Sequence, residues 1–195
     1  MPFPNIIKLD NTCHVQSQYY FIDANVWIYA LQGDDLLKYW QKKYTNFFYD
    51  IIDSKLEPKP KILMPSLLFS EILNTFLKQI AFSEYKLLNN PSSDFKYKPD
   101  YRNDEHYKDN YERVCDDING YRESILFIND ESLLSDPPLY LSPAVHPFDF
   151  NDFFYYQICK EFQKTNPITI VTNDCDFQTN DIPIITINRT LLTLQ

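Results

Sequence analysis

The sequence predicts an α/β protein built on a parallel sheet that is covered on both faces. Three observations predict it. Short runs rich in aromatic and β-branched residues read as buried strands: Tyr19-Tyr20-Phe21-Ile22, Ile62-Leu63-Met64 and Ile168 to Val171. Between them lie longer stretches whose apolar residues recur at helical spacing. The two kinds of segment alternate along the chain, and such alternation places helices on both sides of parallel strands.

Taken in order, residues 19–22 form the first strand, ending at Asp23. Residues 26–31 stay apolar and lead into a helix-like stretch from Asp34 to Ser54. There Leu36, Leu37, Trp40, Tyr44, Phe47, Phe48, Ile51 and Ile52 share one face. Glu57-Pro58-Lys59-Pro60 breaks it. A strand at Ile62 to Met64 follows, then a helix from Pro65-Ser66 with the stripe Leu67, Leu68, Ile72, Leu73, Phe76, Leu77 and Ile80; Glu71 lies beside that stripe. Residues 86–104 read as a long loop. From Glu105 to Phe127 the spacing of Tyr107, Tyr111, Val114, Ile118, Tyr121 and Ile125 suggests a helix with a weak point at Gly120, while Ser124 to Ile128 reads equally well as a strand. Residues 129–148, with Pro137, Pro138, Pro143 and Pro147, read as irregular. Asp149 or Asn151 caps a helix to about Gln163. After the turn at Asn166-Pro167 come the strand Ile168 to Val171 and a last strand, Ile182 to Ile187, which Pro183 places near an edge. Residues 1–195 show no internal repeat and no second domain.

Composition bounds the function. With 195 residues, 44% hydrophobic and 16% aromatic, the chain is long and apolar enough for one sizeable core. No apolar stretch reaches the roughly 18 residues of a membrane span. Met1 to His14 lack a basic region followed by an apolar one, so they do not read as a secretory signal, and a cytoplasmic location is expected. Cys13, Cys115, Cys159 and Cys175 form no C-x-x-C pair, and His14, His106 and His146 are scattered, which argues against zinc and against a disulfide framework. Only two glycines, Gly33 and Gly120, are present. That excludes a P-loop, a dinucleotide fingerprint and a G-x-S-x-G elbow. A net charge of −9 excludes a generic nucleic-acid coat but not a nuclease, because bound divalent ions reverse the local field.

Four acids stand at the ends of apolar runs or open a helix: Asp23, Glu71, Asp152 and Asp174. Carboxylates at such positions are costly unless paired or bound to a metal. In an open α/β sheet ligands bind beyond the carboxyl ends of the strands, so all four can point into one crevice. Hard oxygen ligands without His or Cys favour Mg²⁺ or Mn²⁺. Lys42-Lys43, Lys59 to Lys61 and the stretch Lys96 to Arg102 could touch phosphate, although solvated surface charge is the commoner role. Tyr97, Tyr101, Tyr107 and Tyr111 could stack on bases or pack between helices.

These motifs carry a family resemblance. Phe21-Ile22-Asp23-Ala24-Asn25-Val26 resembles the opening motif of PIN-domain nucleases, a strand followed by Asp-x-Asn. Ser70-Glu71 is similar to the family's Ser-Glu, and Asp152 before an apolar helix to its third acid. Val171-Thr172-Asn173-Asp174-Cys175-Asp176-Phe177 looks like its Thr-Asn-Asp-x-Asp-Phe signature. The resemblance spans residues 19–188, with the motifs in order and a long interval, 86–148, between the second and third acids. It implies a three-layer α/β/α domain around a parallel sheet of about five strands, dependent on Mg²⁺ or Mn²⁺ and hydrolysing RNA. Asp23, Glu71, Asp152 and Asp174 would hold metal, with Asp176 a further ligand; Asn25, Thr172 and Asn173 would orient the acids. The implied setting is the toxin half of a toxin–antitoxin pair, held by a small antitoxin protein and often a homodimer. A PIN-like RNA- or protein-binding scaffold without activity is the competing class. A haloacid dehalogenase-type phosphatase ranks lower, because it needs a second Asp where Asn25 stands.

Overall fold

A computed structural model describes residues 6–129, 149–175, 177, 179 and 181–194. Their strands are β1 (Ile6–Lys8), β2 (Tyr19–Ile22), β3 (Lys61–Pro65), β4 (Ile125–Ile128), β5 (Ile168–Val171) and β6 (Ile184–Thr186). They form one sheet in the order β1-β6-β5-β2-β3-β4, and every ladder is parallel. The central strands β5, β2 and β3 are almost wholly buried, the burial expected of apolar runs covered on two faces.

The sheet therefore has six strands among the described residues rather than about five. The additional one is β1, which pairs Ile6 with Ile184 and lies outside β6. Consequently β6 is not at the edge, as Pro183 had suggested. Pro183 precedes the first paired residue, Ile184, and its carbonyl accepts from the Ile170 N–H at 2.9 Å. At that position the ladder needs its oxygen and no N–H.

The helices are α1 (Ala24–Gln32), α2 (Tyr39–Ile52), α3 (Ser66–Thr75), α4 (Phe82–Asn89), α5 (Glu105–Gly120), α6 (Phe150–Gln163) and the short α7 (Arg189–Leu192). The helix expected from Asp34 begins at Tyr39. Gly33, at φ 81°, ends α1, and a 3₁₀ turn at Asp34–Leu36 precedes α2. A π-helical turn, Phe76–Ala81, joins α3 to α4. The helical run thus reaches Asn89, and the loop read from residue 86 starts at Asn90, whose φ of 42° stops the helix. Both readings of 105–128 hold in part: α5 ends at Gly120, and a 3₁₀ turn at Arg122–Ser124 leads into β4.

The loop between α4 and α5 rests on an aromatic cluster. Phe95 stacks on Tyr85 at 5.4 Å, and Tyr101 lies 5.0 Å from Phe82 and 5.6 Å from Tyr107. Tyr101 is fully buried and donates to or accepts from His106 Nδ1 at 2.8 Å, so its ring packs the loop and is not free to stack on a base. The prolines read as irregular, 137 to 147, lie outside the described residues. No disulfide joins the four cysteines. Among the described residues no helix is long and apolar enough to cross a membrane.

Candidate functional site

The chain leaves β2 for β3 and β4 on one side, then returns across β2 to β5 and β6 on the other. The direction of winding reverses between β2 and β5. At such a switch point the loops beyond the strand ends diverge and leave a crevice. Asp23 and Thr172 follow the last paired residues of these two strands, Ile22 and Val171. The Asp23 N–H still donates to Val171 O at 3.0 Å, so the ladder itself holds the two loops side by side.

Asp23 stands at the N-cap of α1, and its backbone carbonyl accepts from the N–H groups of Val26 and Trp27. Its carboxylate caps nothing. Instead Oδ2 accepts from Thr172 Oγ1 at 2.6 Å and from Asn25 Nδ2. Thr172, fully buried, accepts in turn from the Asp174 N–H at 2.9 Å. One hydroxyl therefore sets both the Asp23 carboxylate and the start of the next acidic loop. Asn25 Oδ1 takes the Asn173 N–H at 3.4 Å, and Asn188 Nδ2 donates to Asn173 O at 2.7 Å. Tyr44, buried in α2, binds the same loop from beneath: its hydroxyl reaches Thr172 O at 3.0 Å and accepts from the Ile187 N–H at 2.9 Å. Burial pushes the Tyr44 phenol up to about 12, so it remains a neutral donor.

Glu71 arrives from the second turn of α3. Its Oε2 accepts from Tyr155 at 2.6 Å and from Asn151 Nδ2 at 2.9 Å. These bonds tie α3 to α6 across 80 residues of sequence. Asp152 lies one residue after Asn151, and Asp149 caps the helix by accepting the Asp152 N–H at 2.9 Å.

A cavity of about 340 Å³ unites these groups. Asp23, Glu71, Asp149, Asp152 and Asp174 all line it, with Asn25, Tyr29, Thr75 and Gln79, and among the described residues no Lys, Arg or His does. Thus the four acids expected from the sequence share one wall. Asn25 lines the pocket, while Thr172 and Asn173 hold it from behind. Asp176 lies outside the described residues. The sequence had set Asp149 aside as a cap, yet it is both cap and pocket wall. Tyr155 and Asn151 were missed as partners of Glu71; their i, i+4 spacing on one helix face was the available signal.

Electrostatics shows the acids acting on one another. Burial raises Asp23 to about 7 against the bonds from Thr172, and the charges of Asp174 and Glu71 raise it further. Burial likewise raises Asp152 to about 8, with Asp23, Asp149, Asp174 and Glu71 adding to the effect. Hard oxygen donors that raise one another's proton affinity are of a kind that could hold a hard divalent cation such as Mg²⁺ or Mn²⁺. The spacing is more open than the chemistry: among the described residues no three His, Cys, Asp or Glu groups form a ready-made ligand cluster. An ion that retains several of its waters suits such a wall. The chain matches no family profile, no curated protein and no solved structure.

Proposed function

We propose that this chain is a Mg²⁺- or Mn²⁺-dependent endoribonuclease of the PIN type, its three-layer domain presenting Asp23, Glu71, Asp152 and Asp174 to the metal. The observation that carries the reading is the meeting of these four acids in one pocket at the switch point of the sheet, although they are spread over 152 positions of sequence. The strand order supports it too, since β2 and β5 deliver Asp23 and Asp174 side by side.

The residues divide the work. Thr172 and Asn25 hold the Asp23 carboxylate in one orientation, and Tyr155 and Asn151 do the same for Glu71. Asp152 and Asp174 close the acidic wall. A bound divalent ion would polarise the scissile phosphate and lower the pKa of a water that attacks it. The carboxylates would supply the negative charge that retains the cation, and their own proton affinity would fall as it enters. No side-chain nucleophile is required. The resemblance places such an enzyme in a toxin–antitoxin pair, with a small antitoxin protein as partner and a homodimer as its form.

The test is cleavage of mixed RNA by the purified chain in Mn²⁺, beside Asp23→Asn and Asp174→Asn. Cleavage by the parent that disappears in both variants is expected. Activity persisting in both would mean contamination. No cleavage together with no Mn²⁺ binding by calorimetry would instead favour a PIN-like binding scaffold.

A further inference from the structure

Beside the acidic pocket lies a second hollow of opposite character. It measures about 650 Å³ and is lined by Asn74, Lys78, Lys96, Tyr97 and Lys98. In a chain of net charge −9, three lysines and, among the described residues, no acid face one space. All three are exposed, and none is in an ion pair among the described residues. Unpaired cations gathered in this way call for an anion from outside the chain.

The helix that carries the acid also carries the groove. Glu71, Thr75 and Gln79 recur every four residues and line the acidic pocket, whereas Asn74 and Lys78 line the lysine groove. Lys78 and Gln79 lie in the π turn that continues α3, where successive residues still point in different directions, so the two sets occupy neighbouring faces of one helical run. The loop bearing Lys96 and Lys98 is fixed rather than loose. The Lys96 N–H donates to Asp100 Oδ2 at 2.8 Å, Lys96 O accepts from the Tyr101 N–H at 3.1 Å, and Asn103 Nδ2 donates to Pro99 O at 2.6 Å. Asp100, whose Oδ2 accepts from the Lys96 N–H, does not line the groove.

We propose that Lys78, Lys96 and Lys98 bind the phosphodiester backbone of a single-stranded polynucleotide, and that this groove leads the strand into the acidic pocket. The inference rests on the hydrolase reading for its direction, but its binding step can be measured separately. Lysines supply point charges that position a backbone without reading sequence. Asn74 lines the groove with its amide Nδ2 held by Ser70 O at 2.8 Å, so the lysines alone supply the attraction, and a strand crossing from one helix face to the next passes from cations to the acids.

The experiment is binding of a fluorescently labelled single-stranded RNA oligonucleotide to the full chain in EDTA, where no cleavage occurs. It compares the parent with the combined Lys78→Ala, Lys96→Ala, Lys98→Ala variant. A control variant carries Lys8→Ala, Lys38→Ala and Lys55→Ala, exposed lysines that make the same change in charge without lining groove or pocket. Circular dichroism melts check that the variants fold. The groove variant should bind about tenfold more weakly, and its slope of log affinity against log salt should fall by about 2, roughly 0.7 for each lost phosphate contact. The control should stay within twofold of the parent. Equal loss in the control, or no loss in the groove variant, overturns the proposal. So does polyglutamate competing as well as RNA, since the groove would then select any acidic polymer. A parent that binds through these lysines but never cleaves in Mn²⁺ would leave the groove standing and remove the hydrolase reading. Cleavage with unchanged KM in the groove variant would do the reverse.

Discussion

At the scale of single residues, the site is organised by neutral donors rather than by opposing charges. Glu71 is the clearest case. Its partners are a phenol and an amide, both presented by α6, and both bonds fall on the same oxygen, Oε2. The Tyr155 ring is itself packed against Phe21 at 5.2 Å and is 1% exposed, so the hydroxyl has little freedom to leave. Its phenol is raised by burial and by the Glu71 charge, which keeps it a donor. Tyr155→Phe removes that donor while preserving the ring. A hydrogen bond to a charged group contributes about 1.5–3 kcal/mol, and loss of a bond that orients a metal ligand typically weakens metal binding about 10–100-fold. The variant should therefore melt several degrees lower and bind Mn²⁺ at least tenfold more weakly in calorimetry. Unchanged Mn²⁺ affinity would show that the orientation of Glu71 does not matter to the metal.

At the scale of elements, the two glycines separate two kinds of backbone demand. Gly33 has φ 81° and ψ 148°, a combination essentially reserved for glycine, and a Cβ placed there meets nothing within 4 Å. Gly33→Ala should therefore destabilise through strain alone, by about 1–3 kcal/mol. Gly120 ends α5 at an ordinary φ, again with open space around it. Gly120→Ala should stabilise by about 0.4–1 kcal/mol through the unfolded chain. Thermal melts of the two variants should move in opposite directions; movement in the same direction would contradict the backbone assignment. The same distinction explains what was legible in the sequence. Strands β2, β3 and β5 were readable because strands buried on both faces are apolar throughout, and an acid directly after them breaks the pattern. Strand β1 was not: only Ile6 of its three residues is buried, with Ile7 and Lys8 exposed, so neither an apolar run nor an alternation could form. The π turn at Phe76–Ala81 was hidden because Phe76, Leu77 and Ile80 continue the α-helical stripe through it. The break at Gly33 rests on one residue. The hold of Asn151 and Tyr155 on Glu71 crosses 80 or more positions and exists only once the sheet has assembled. The four acids could be read locally, but what orients them could not.

At the scale of the whole molecule, winding a parallel sheet outward from both sides of β2–β5 gathers the acids, and the gathering has an energetic consequence. Asp23 and Asp152 hold their protons in the folded chain up to about 7 and about 8, against an ordinary value of 3.8. Between these limits the folded state binds more protons than the unfolded one, so stability falls as pH rises. The contribution is complete below about pH 4 and is lost as pH climbs through about 7 and 8. Holding Asp23 ionised without a cation costs about 4 kcal/mol, each tenfold change in proton affinity being about 1.4 kcal/mol. In a chain of this length one kcal/mol shifts the melting temperature by about 2–4 °C. The chain in EDTA should therefore melt several degrees lower at about pH 8.5 than at about pH 5, with the loss accumulating steadily up to about pH 7 to 8 and levelling off above it. A divalent cation bound to the folded state stabilises according to its concentration relative to its dissociation constant, and protons compete with it for the same oxygens. Millimolar Mg²⁺ or Mn²⁺ should thus recover most of the loss at the higher pH and change little at the lower one. Asp23→Asn, which carries no titrating group at that position, should flatten the slope in EDTA and reduce the metal response together. A profile in EDTA that rises with pH, or a metal response of equal size at both pH values, would break the link between the raised carboxyls and a cation site. The pH profile would then belong to acids elsewhere on a molecule of net charge −9.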